Sequence, residues 1–584
     1  MEDDNLKLKG DHPLPSKVLI NRLYHFIKPE IPRFILAFIL IIINVGLDII
    51  TPLITSEITK LLSEGDVIFN TQVTIQNCLP YVIGLAIGLF VLSIINQTFL
   101  YLESMLLQKT GQKIIYNLRM EVYTHIEHMS QNQFSEMPVG SLVTRVASYT
   151  SSMSELFTST LVNMIRNILT VVGVFGIMIY KQAVLSALLL VFVVLVAFIS
   201  IKFRNIVGKL FTKERGCLSD LNAFLNENLG GMKITQIFNQ EKRKENQFNE
   251  KNYAYFKARR NVQTAFSIYR PLISLLYFLA IAYTFYFGIQ PWIGIGADGI
   301  VAFYLYLSRF FNPIQNLADQ LNSLQRAKTA SERLFNLLDV QPEVLDKPDA
   351  REIDNFEGKI EFRDVWFAYK PGEWVLKGVS FVIPAKTTAA FVGATGAGKT
   401  TILSLIVRNY EAQKGQILID DIEIHDIKIE SLRKAIGQML QDVFLFSGDI
   451  KSNITLHDEK FTDEEIVEAS TYVNANKFID KLPKKYDEPV IERGENFSQG
   501  QRQLLSFART VLHQPQVLIL DEATANIDTE TEVLIQESLE KMKSIGTMLI
   551  VAHRLSTIQK SDQIFVLQDG VVLEHGNHQE LLKQ

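Results

Sequence analysis

The chain has 584 residues, 47% of them hydrophobic and 21% charged, with a formal net charge of -5. At that length two or more domains are expected, and the near-balanced charge excludes a global field that recruits nucleic acid. Cys78 and Cys217 lie far apart in no metal-like spacing, so two incidental thiols are expected, and the acidic start Met-Glu-Asp-Asp lacks the basic region of a cleaved signal peptide.

The hydrophobic excess lies in the first half. Six apolar stretches, 34–55, 81–107, 156–180, 183–201, 272–289 and 293–311, are each long enough to cross a bilayer as a helix. One such run would suit a buried soluble helix; six predict a membrane domain. Lys7, Lys9, Lys17, Arg22, Lys28 and Arg33 precede the first stretch. Lys109, Lys113, Arg119 and Arg145 follow the second, and Lys202, Arg204, Lys209, Lys213 and Arg215 follow the fourth. The turns at Lys181 and at Gln290 to Trp292 are almost without basic charge, so both termini are expected in the cytoplasm. Residues 15–30 alternate basic and apolar side chains at helical spacing, as an interfacial helix does. The two inner connections, about 108–155 and 202–265, are long and helix-patterned, which predicts helical hairpins with tips at 117–129 and 221–238.

Asp48, Glu103, Arg166, Arg270 and Arg309 lie in or near the spans. Charge at that depth faces a cavity or a partner group, and for Asp48 and Arg309 both readings stay open. Glu103 and Arg270 lie near cytoplasmic ends, where snorkelling is expected. Tyr277, Phe278, Tyr283, Phe285, Tyr286, Tyr304, Tyr306 and Phe310 crowd the last two spans. Packing accounts for most of these, and an aromatic substrate cavity stays open.

After a helical linker and a stretch bearing Pro342 and Pro348, strand-like alternation begins at Gly358 and again at Phe381. The strand Thr388-Ala-Ala-Phe-Val runs into Gly393-Ala-Thr-Gly-Ala-Gly398-Lys399-Thr400 and then an apolar helix. That is a phosphate loop in strand–loop–helix context. Gly393, Thr395, Gly396, Gly398, Lys399, Thr400 and Thr401 are its candidate nucleotide contacts, with Lys399 on the β- and γ-phosphates and Thr400 on Mg²⁺. The apolar run Val517-Leu-Ile-Leu ends in Asp521 and Glu522. A buried parallel strand delivers such acids to the edge where ligands bind, Asp521 to hold Mg²⁺ through water and Glu522 to polarise the attacking water. Another apolar run, starting at Thr547, ends at His553, which is placed to contact the γ-phosphate. Gln441 ends a further strand-like run, and Ser498 N-caps an amphipathic helix that opens Gln499-Gly500-Gln501.

With these pieces in order, the chain resembles the ABC transporter family over nearly its whole length, including the six-span exporter transmembrane domain. The resemblance implies a multi-domain fold: an all-α six-helix transmembrane domain with long cytoplasmic extensions, followed by an α/β P-loop ATPase domain of ABC type. Its divisions are 1–33 for the N-terminus and elbow helix, 34–320 for the spans, 321–350 for a linker and 351–584 for the nucleotide-binding domain. It implies ATP and Mg²⁺ between two such domains arranged head to tail. Catalytic roles fall to Glu522, His553 and Gln441, adenine stacking to Tyr369, and signature contacts to Ser498, Gly500 and Gln501. Thr400, Gln441 and Asp521 form the Mg²⁺ set, Ile527 and Asp528 the interface loop, and Glu492, Arg493 and Gly494 a segment that touches the helical tips.

Two departures stand out. The family signature is usually Leu-Ser-Gly-Gly-Gln, and here it reads Phe497-Ser498-Gln499-Gly500-Gln501. The interface loop reads Ala525-Asn526-Ile527-Asp528. With Glu522 and His553 kept, the combination resembles one subunit of heterodimeric exporters with one degenerate ATP site. Export of drugs or lipids from a bacterial plasma membrane is expected, with a second half-transporter as partner, membrane lipids around it and no nucleic acid. A homodimeric exporter, an exporter-fold importer of a metal chelate and an ATP-gated channel are the alternatives.

Overall fold

The computed structural model describes residues 12–63, 66–68, 71–73, 79–440, 442–521, 528–551 and 558–583. Two units form, one from Met1–His128 with Met137–Gln341 and the other from Met129–Glu136 with Pro342–Gln584.

The first unit is helical. Helix α1 (Ser16–Ile27) runs through a tight turn into α2 (Ile31–Ser63), and a short hairpin, β1 (Asp66–Ile68) and β2 (Thr71–Val73), precedes α3 (Leu79–Glu127). A short helix α4 (Gln131–Glu136) belongs to the second unit. Then come α5 (Val139–Lys181), α6 (Ala183–Gly230), the short α7 (Met232–Ile237), α8 (Glu241–Gly288) and α9 (Ala297–Leu338). Helices of 48 or 49 residues reach about 72 Å, more than twice the ~30 Å of bilayer hydrocarbon, so α3, α6 and α8 extend well beyond it.

Among the described residues, five helices are long and apolar enough to cross a membrane: α1 with α2, then α3, α5, α6 and α8. The sixth expected span falls on α9, which is 42 residues long but carries Asp298 and Arg309. Neighbouring helices supply its polar partners. Ser56 Oγ donates to Asp298 at 3.3 Å, Tyr306 Oη donates to the Ile49 carbonyl at 2.9 Å, and Arg309 interacts electrostatically with Asp48. Phe303, Tyr306, Phe310 and Phe311 of α9 are buried against α5, α6 and α8. Outward-facing Phe90, Val191, Phe198 and Phe278 are each more than 60% exposed, a surface suited to lipid rather than water. Tyr277 and Tyr283 stack edge-on to Phe311 and Phe192, which is ordinary packing, while Tyr286 and Tyr304 are exposed.

Two expectations are corrected. Glu103 does not snorkel. It is wholly buried, because Arg166 and Asn44 on neighbouring helices supply the partners that water supplies at an interface. The first hairpin tip lies at α4, beyond the expected 117–129, because α3 continues unbroken to Glu127 and the Ser130 side chain caps the next turn. The second tip, α7, falls inside the expected 221–238.

Helix α1 presents two apolar faces. Leu19, with Leu23 and Phe26 beside it, packs on Phe335 and Leu338 of α9, while Val18, Ile20 and Tyr24 stay exposed. Both Arg22 guanidinium nitrogens reach Asp339, at 2.8 and 2.9 Å.

In the second unit an antiparallel sheet of four strands is formed by β3 (Ile360–Phe367), β4 (Leu376–Ile383), β6 (Lys414–Ile419) and β7 (Ile422–Glu423), in the order β4-β3-β6-β7. A six-stranded sheet contains β5 (Thr388–Gly393), β8 (Ile436–Met439), β9 (Val517–Asp521), β10 (Thr547–Val551), β11 (Gln563–Gln568) and β12 (Val571–Gly576), in the order β12-β11-β5-β10-β9-β8. Its strands run parallel except for the edge pair β11–β12. Strands β9 and β10 are covered on both faces, which is why they read as unbroken apolar runs. Their side chains divide between two cores by the period of two. Val517, Ile519, Leu549 and Val551 face the core shared with the four-stranded sheet. Leu518, Leu520, Met548 and Ile550 face the core that holds the helices α11 (Asp463–Tyr472), α12 (Gln499–Leu512) and α13 (Thr529–Met542). The helix after β5, α10 (Lys399–Ile406), buries Ile402, Leu403 and Leu405 in the first core.

Candidate functional site

The phosphate loop leaves the six-stranded sheet at the C-terminal end of β5, between β11 and β10, and enters α10. Gly393 closes the strand at φ +153°, where a Cβ would lie 2.2 Å from the Leu567 carbonyl oxygen. Lys399 is 7% exposed, and its ammonium donates to the carbonyls of Gly393 at 2.9 Å and Ala394 at 3.0 Å. The loop therefore wraps a fixed positive charge at a helix N-terminus, an arrangement that attracts phosphate. Thr395, Gly396 and Thr400 are exposed beside it, while Thr401 is buried.

Tyr369 follows β3 and is 44% exposed. Its hydroxyl lies 3.0 Å from Thr401 Oγ1, and its ring meets Phe367 at 4.9 Å and Tyr410 at 5.1 Å, both edge-on. One aromatic surface is thus held in a fixed orientation next to the phosphate loop, ready for a flat base.

Asp521 ends β9, level with Val551 at the end of β10. Thr400 and Asp521 offer hard oxygen donors, the chemistry that suits Mg²⁺. Gln441, Glu522, Ile527 and His553 lie outside the described residues. Asp528 is described: its carboxylate accepts from the Thr531 N–H at 2.9 Å and caps α13. That backbone bond, with the Thr531 hydroxyl, holds the Asp528 carboxyl below the usual range.

The signature segment opens α12 through a capping box. Ser498 Oγ accepts from the Gln501 N–H at 3.3 Å, and Gln501 Oε1 accepts from the Ser498 N–H at 3.0 Å. The Gln501 amide oxygen is therefore engaged in the cap. Phe497, where the family has leucine, is buried beside Phe478, so this change is absorbed by the core. Gly500 is buried and Gln499 is half-buried at the first turn of the helix. Glu492, Arg493 and Gly494 form a single tight turn, with Arg493 in the left-handed region at φ +56°. The phosphate-loop helix and the signature helix belong to different cores of the unit, the first with the four-stranded sheet and the second with α11 and α13.

One contact has no signature in the local sequence pattern. Helix α4 docks on the ATPase side, where Glu343 accepts from Asn132 Nδ2 at 3.0 Å and Ser130 Oγ at 3.4 Å. Tyr410, which holds the ring of Tyr369, meets the Ser135 side chain of α4 and senses the Glu343 charge. Burial first, and the Tyr369 hydroxyl second, push the Tyr410 hydroxyl above its ordinary pKa. The signal for this helix was the pattern Ser130-Gln-Asn-Gln133, a capping box in which each end caps the other. No local pattern marks Tyr410.

Comparison with known proteins agrees with this arrangement. Residues 34–314 match the ABC transporter transmembrane region and residues 376–525 match the ABC transporter family. The chain is 39% identical to YheH of Bacillus subtilis, which carries a multidrug-resistance ABC transporter name, over 85% of this chain and 74% of YheH. It is 32% identical to the ATP-dependent lipid A-core flippase of Desulfotalea psychrophila over 98% of both chains. A bacterial Atm1-family ABC exporter with ATP bound superposes with a TM-score of 0.78 at 25% identity, covering 94% of this chain and 96% of that one. The chain belongs to the ABC transporter family, as an integral-membrane exporter half-transporter whose transmembrane domain is fused to an ABC ATPase that binds ATP and couples its hydrolysis to transport.

Proposed function

We propose that this half-transporter exports amphipathic or apolar compounds, drugs or lipids, as one half of a heterodimer with unequal ATP sites. Relatives named for multidrug resistance and for lipid A-core flipping support the substrate class. The observation that carries the unequal sites is Gln499, a half-buried side chain at the turn where the family brings bare backbone to the γ-phosphate. In this reading Lys399, Thr400 and Asp521 hold MgATP, Glu522 is the general base, Gln441 and His553 contact the γ-phosphate, and a partner's ordinary signature completes the site. This chain's Ser498, Gly500 and Gln501 complete the weaker site of the partner.

A second chain is also supported by the separation of the phosphate loop and the signature into different cores. The tip helix α7 adds to this, since Ile234, Ile237 and Phe238 are each more than 60% exposed and need a receptor. The basic residues before the first span and after the second and fourth support an orientation with both termini in the cytoplasm, and the bacterial sources of the relatives support a bacterial plasma membrane.

Co-purification from the native membrane tests the assembly. A different half-transporter with an ordinary signature and a replaced catalytic glutamate is expected, and a homodimer with two equal hydrolysing sites overturns the reading. Inside-out vesicles fed ATP test the direction: accumulation of a fluorescent amphiphile is expected, and ATP-driven depletion of a preloaded one indicates uptake.

A further inference from the structure

Helix α5 is not uniformly wound. It widens twice, at Arg145–Tyr149 and at Leu156–Thr160, where the Leu161 N–H reaches back five residues to the Leu156 carbonyl. Each wide turn holds one residue more than an α-turn, a rare feature that concentrates at functional sites. Seven of the eleven residues in Thr150-Ser-Ser-Met-Ser-Glu-Leu-Phe-Thr-Ser-Thr160 carry hydroxyls, so a donor stands beside whichever carbonyl the widened ladder frees. Thr150 Oγ1 donates to the Val146 carbonyl at 2.5 Å and to the Ala147 carbonyl at 3.1 Å, and Ser151 Oγ donates to Ala147 at 2.7 Å. At the second wide turn Thr158 Oγ1 donates to the Ser154 carbonyl and Ser159 Oγ to the Glu155 carbonyl, each at 2.9 Å.

Both ends of this stretch are pinned. Arg145 is wholly buried and donates to the Arg333 carbonyl of α9, while Arg166 meets buried Glu103 of α3 at 2.5 Å. Contacts between the pins are longer. Gln112 Nε2 donates to Ser154 Oγ at 3.4 Å, Arg119 Nη2 to Thr150 Oγ1 at 3.2 Å, and Arg326 Nη2 to Glu155 at 3.4 Å. Opposite the second wide turn α3 presents Gly111, where a Cβ would lie 2.3 Å from Thr158 Cγ2 and jam the turn.

We propose that residues 146–160 of α5 change register during the transport cycle by migration of the two wide turns, with Arg145 and Arg166 as fixed points. A wide turn that moves along a helix re-pairs only the backbone groups it passes. It rotates those residues by about 100°, one residue's share of a turn, and leaves the helix on either side in place. Thr150, bonded to the carbonyls three and four residues back, already straddles two registers. Because hydroxyls cover the carbonyls that the ladder releases, each step exchanges one hydrogen bond for another and strands no buried acceptor. The moving segment touches both α3 and α9, so its rotation changes how those two helices pack at this level.

Hydrogen exchange over residues 145–160 tests the proposal, on the full transporter in lipid nanodiscs, nucleotide-free and turning over MgATP. Turnover is expected to quicken exchange there by about threefold to tenfold, the range one net hydrogen bond supplies, and to leave residues 163–178 of the same helix unchanged. Equal exchange over 145–160 in the two conditions overturns the proposal. Deleting Ser159 removes the excess residue, so the second wide turn should close to an α-turn with both pins still in register. This variant should keep its unfolding temperature and bind an ATP analogue normally, yet lose transport by about tenfold. Transport at the unaltered rate overturns the proposal. So does a deletion that abolishes folding, because it shows that the residue is not in excess. Thr150→Val should slow transport by about threefold, and Thr150→Ser, which keeps the hydroxyl, should restore it; equal transport in the two overturns the role given to the hydroxyl.

Discussion

Arg166 and Glu103 form an ion pair within the membrane-spanning unit, with Arg166 Nη2 2.5 Å from Glu103 Oε1 and the carboxylate wholly buried. Asn44 Nδ2 donates to the other carboxylate oxygen at 2.9 Å, so α2, α3 and α5 are joined at one point. A buried pair adds little over an apolar substitute, but removing one partner strands the other, at a cost of roughly 3–5 kcal/mol. Arg166→Met is therefore expected to lower the unfolding temperature of the purified transporter sharply. Adding Glu103→Gln to it should restore most of the loss, because no charge is left buried. Thermal unfolding of both variants in the same detergent checks this, and a double variant less stable than Arg166→Met contradicts it.

The phosphate loop offers a contrast between two glycines. At Gly393 the space for a Cβ is filled by the Leu567 carbonyl oxygen, which belongs to the neighbouring strand and cannot move alone. At Gly396 nothing lies within 4 Å, and only the positive φ of +85° opposes a side chain. Gly396→Ala should therefore fold, with a local strain of about 1 kcal/mol. Gly393→Ala should disturb the β5–β11 pairing and lower the yield of folded ATPase domain. Limited proteolysis and ATP-analogue binding of the two variants measure the difference.

The parts of the site that the sequence displays are those set by short-range spacing. The loop from Gly393 to Thr400 and Asp521 at the end of its strand depend on one strand and one turn, and strands buried on both faces announce themselves by unbroken apolar runs. The burial of Glu103 is not legible in the sequence because its partners, Asn44 and Arg166, sit 59 and 63 residues away on other helices. Helix α9 is less apolar than a lone span because Ile49, Ser56 and Asp48 satisfy its polar groups, and that requires the packed bundle. The docking of α4 on Glu343 joins residues about 200 positions apart, beyond the reach of any periodicity.

Asp528 links the cap of α13 to pH. Its folded pKa lies below the ordinary value because the Thr531 N–H and hydroxyl favour the carboxylate. The cap is therefore fully present above the unfolded aspartate pKa of about 3.9 and is lost as pH falls through the lowered folded value. Protection of the Thr531 amide relative to its intrinsic exchange rate should be high near neutral pH and fall on acidification only below that range. In Asp528→Asn, which caps without ionising, the acid-induced loss of protection should disappear. A pH response that survives in Asp528→Asn assigns it to another group.

The lysine and the glutamate should separate binding from chemistry. Lys399 places its ammonium in the loop on the carbonyls of Gly393 and Ala394, where a phosphate would compete for the same hydrogens. Lys399→Met keeps the length of the side chain and removes the charge, so ATP binding itself should weaken. On the proposed reading of Glu522 as the general base, Glu522→Gln keeps the size of the group but removes the carboxylate that accepts the proton of the attacking water. Losing a general base typically costs about 10²–10⁴-fold in rate, and ATP binding should persist in this variant. Equilibrium binding of a fluorescent ATP analogue beside steady-state hydrolysis, in one preparation of each variant, reads both quantities. Residual turnover in Glu522→Gln above a few per cent, on that scale of loss, places the base on another residue or in the partner's site.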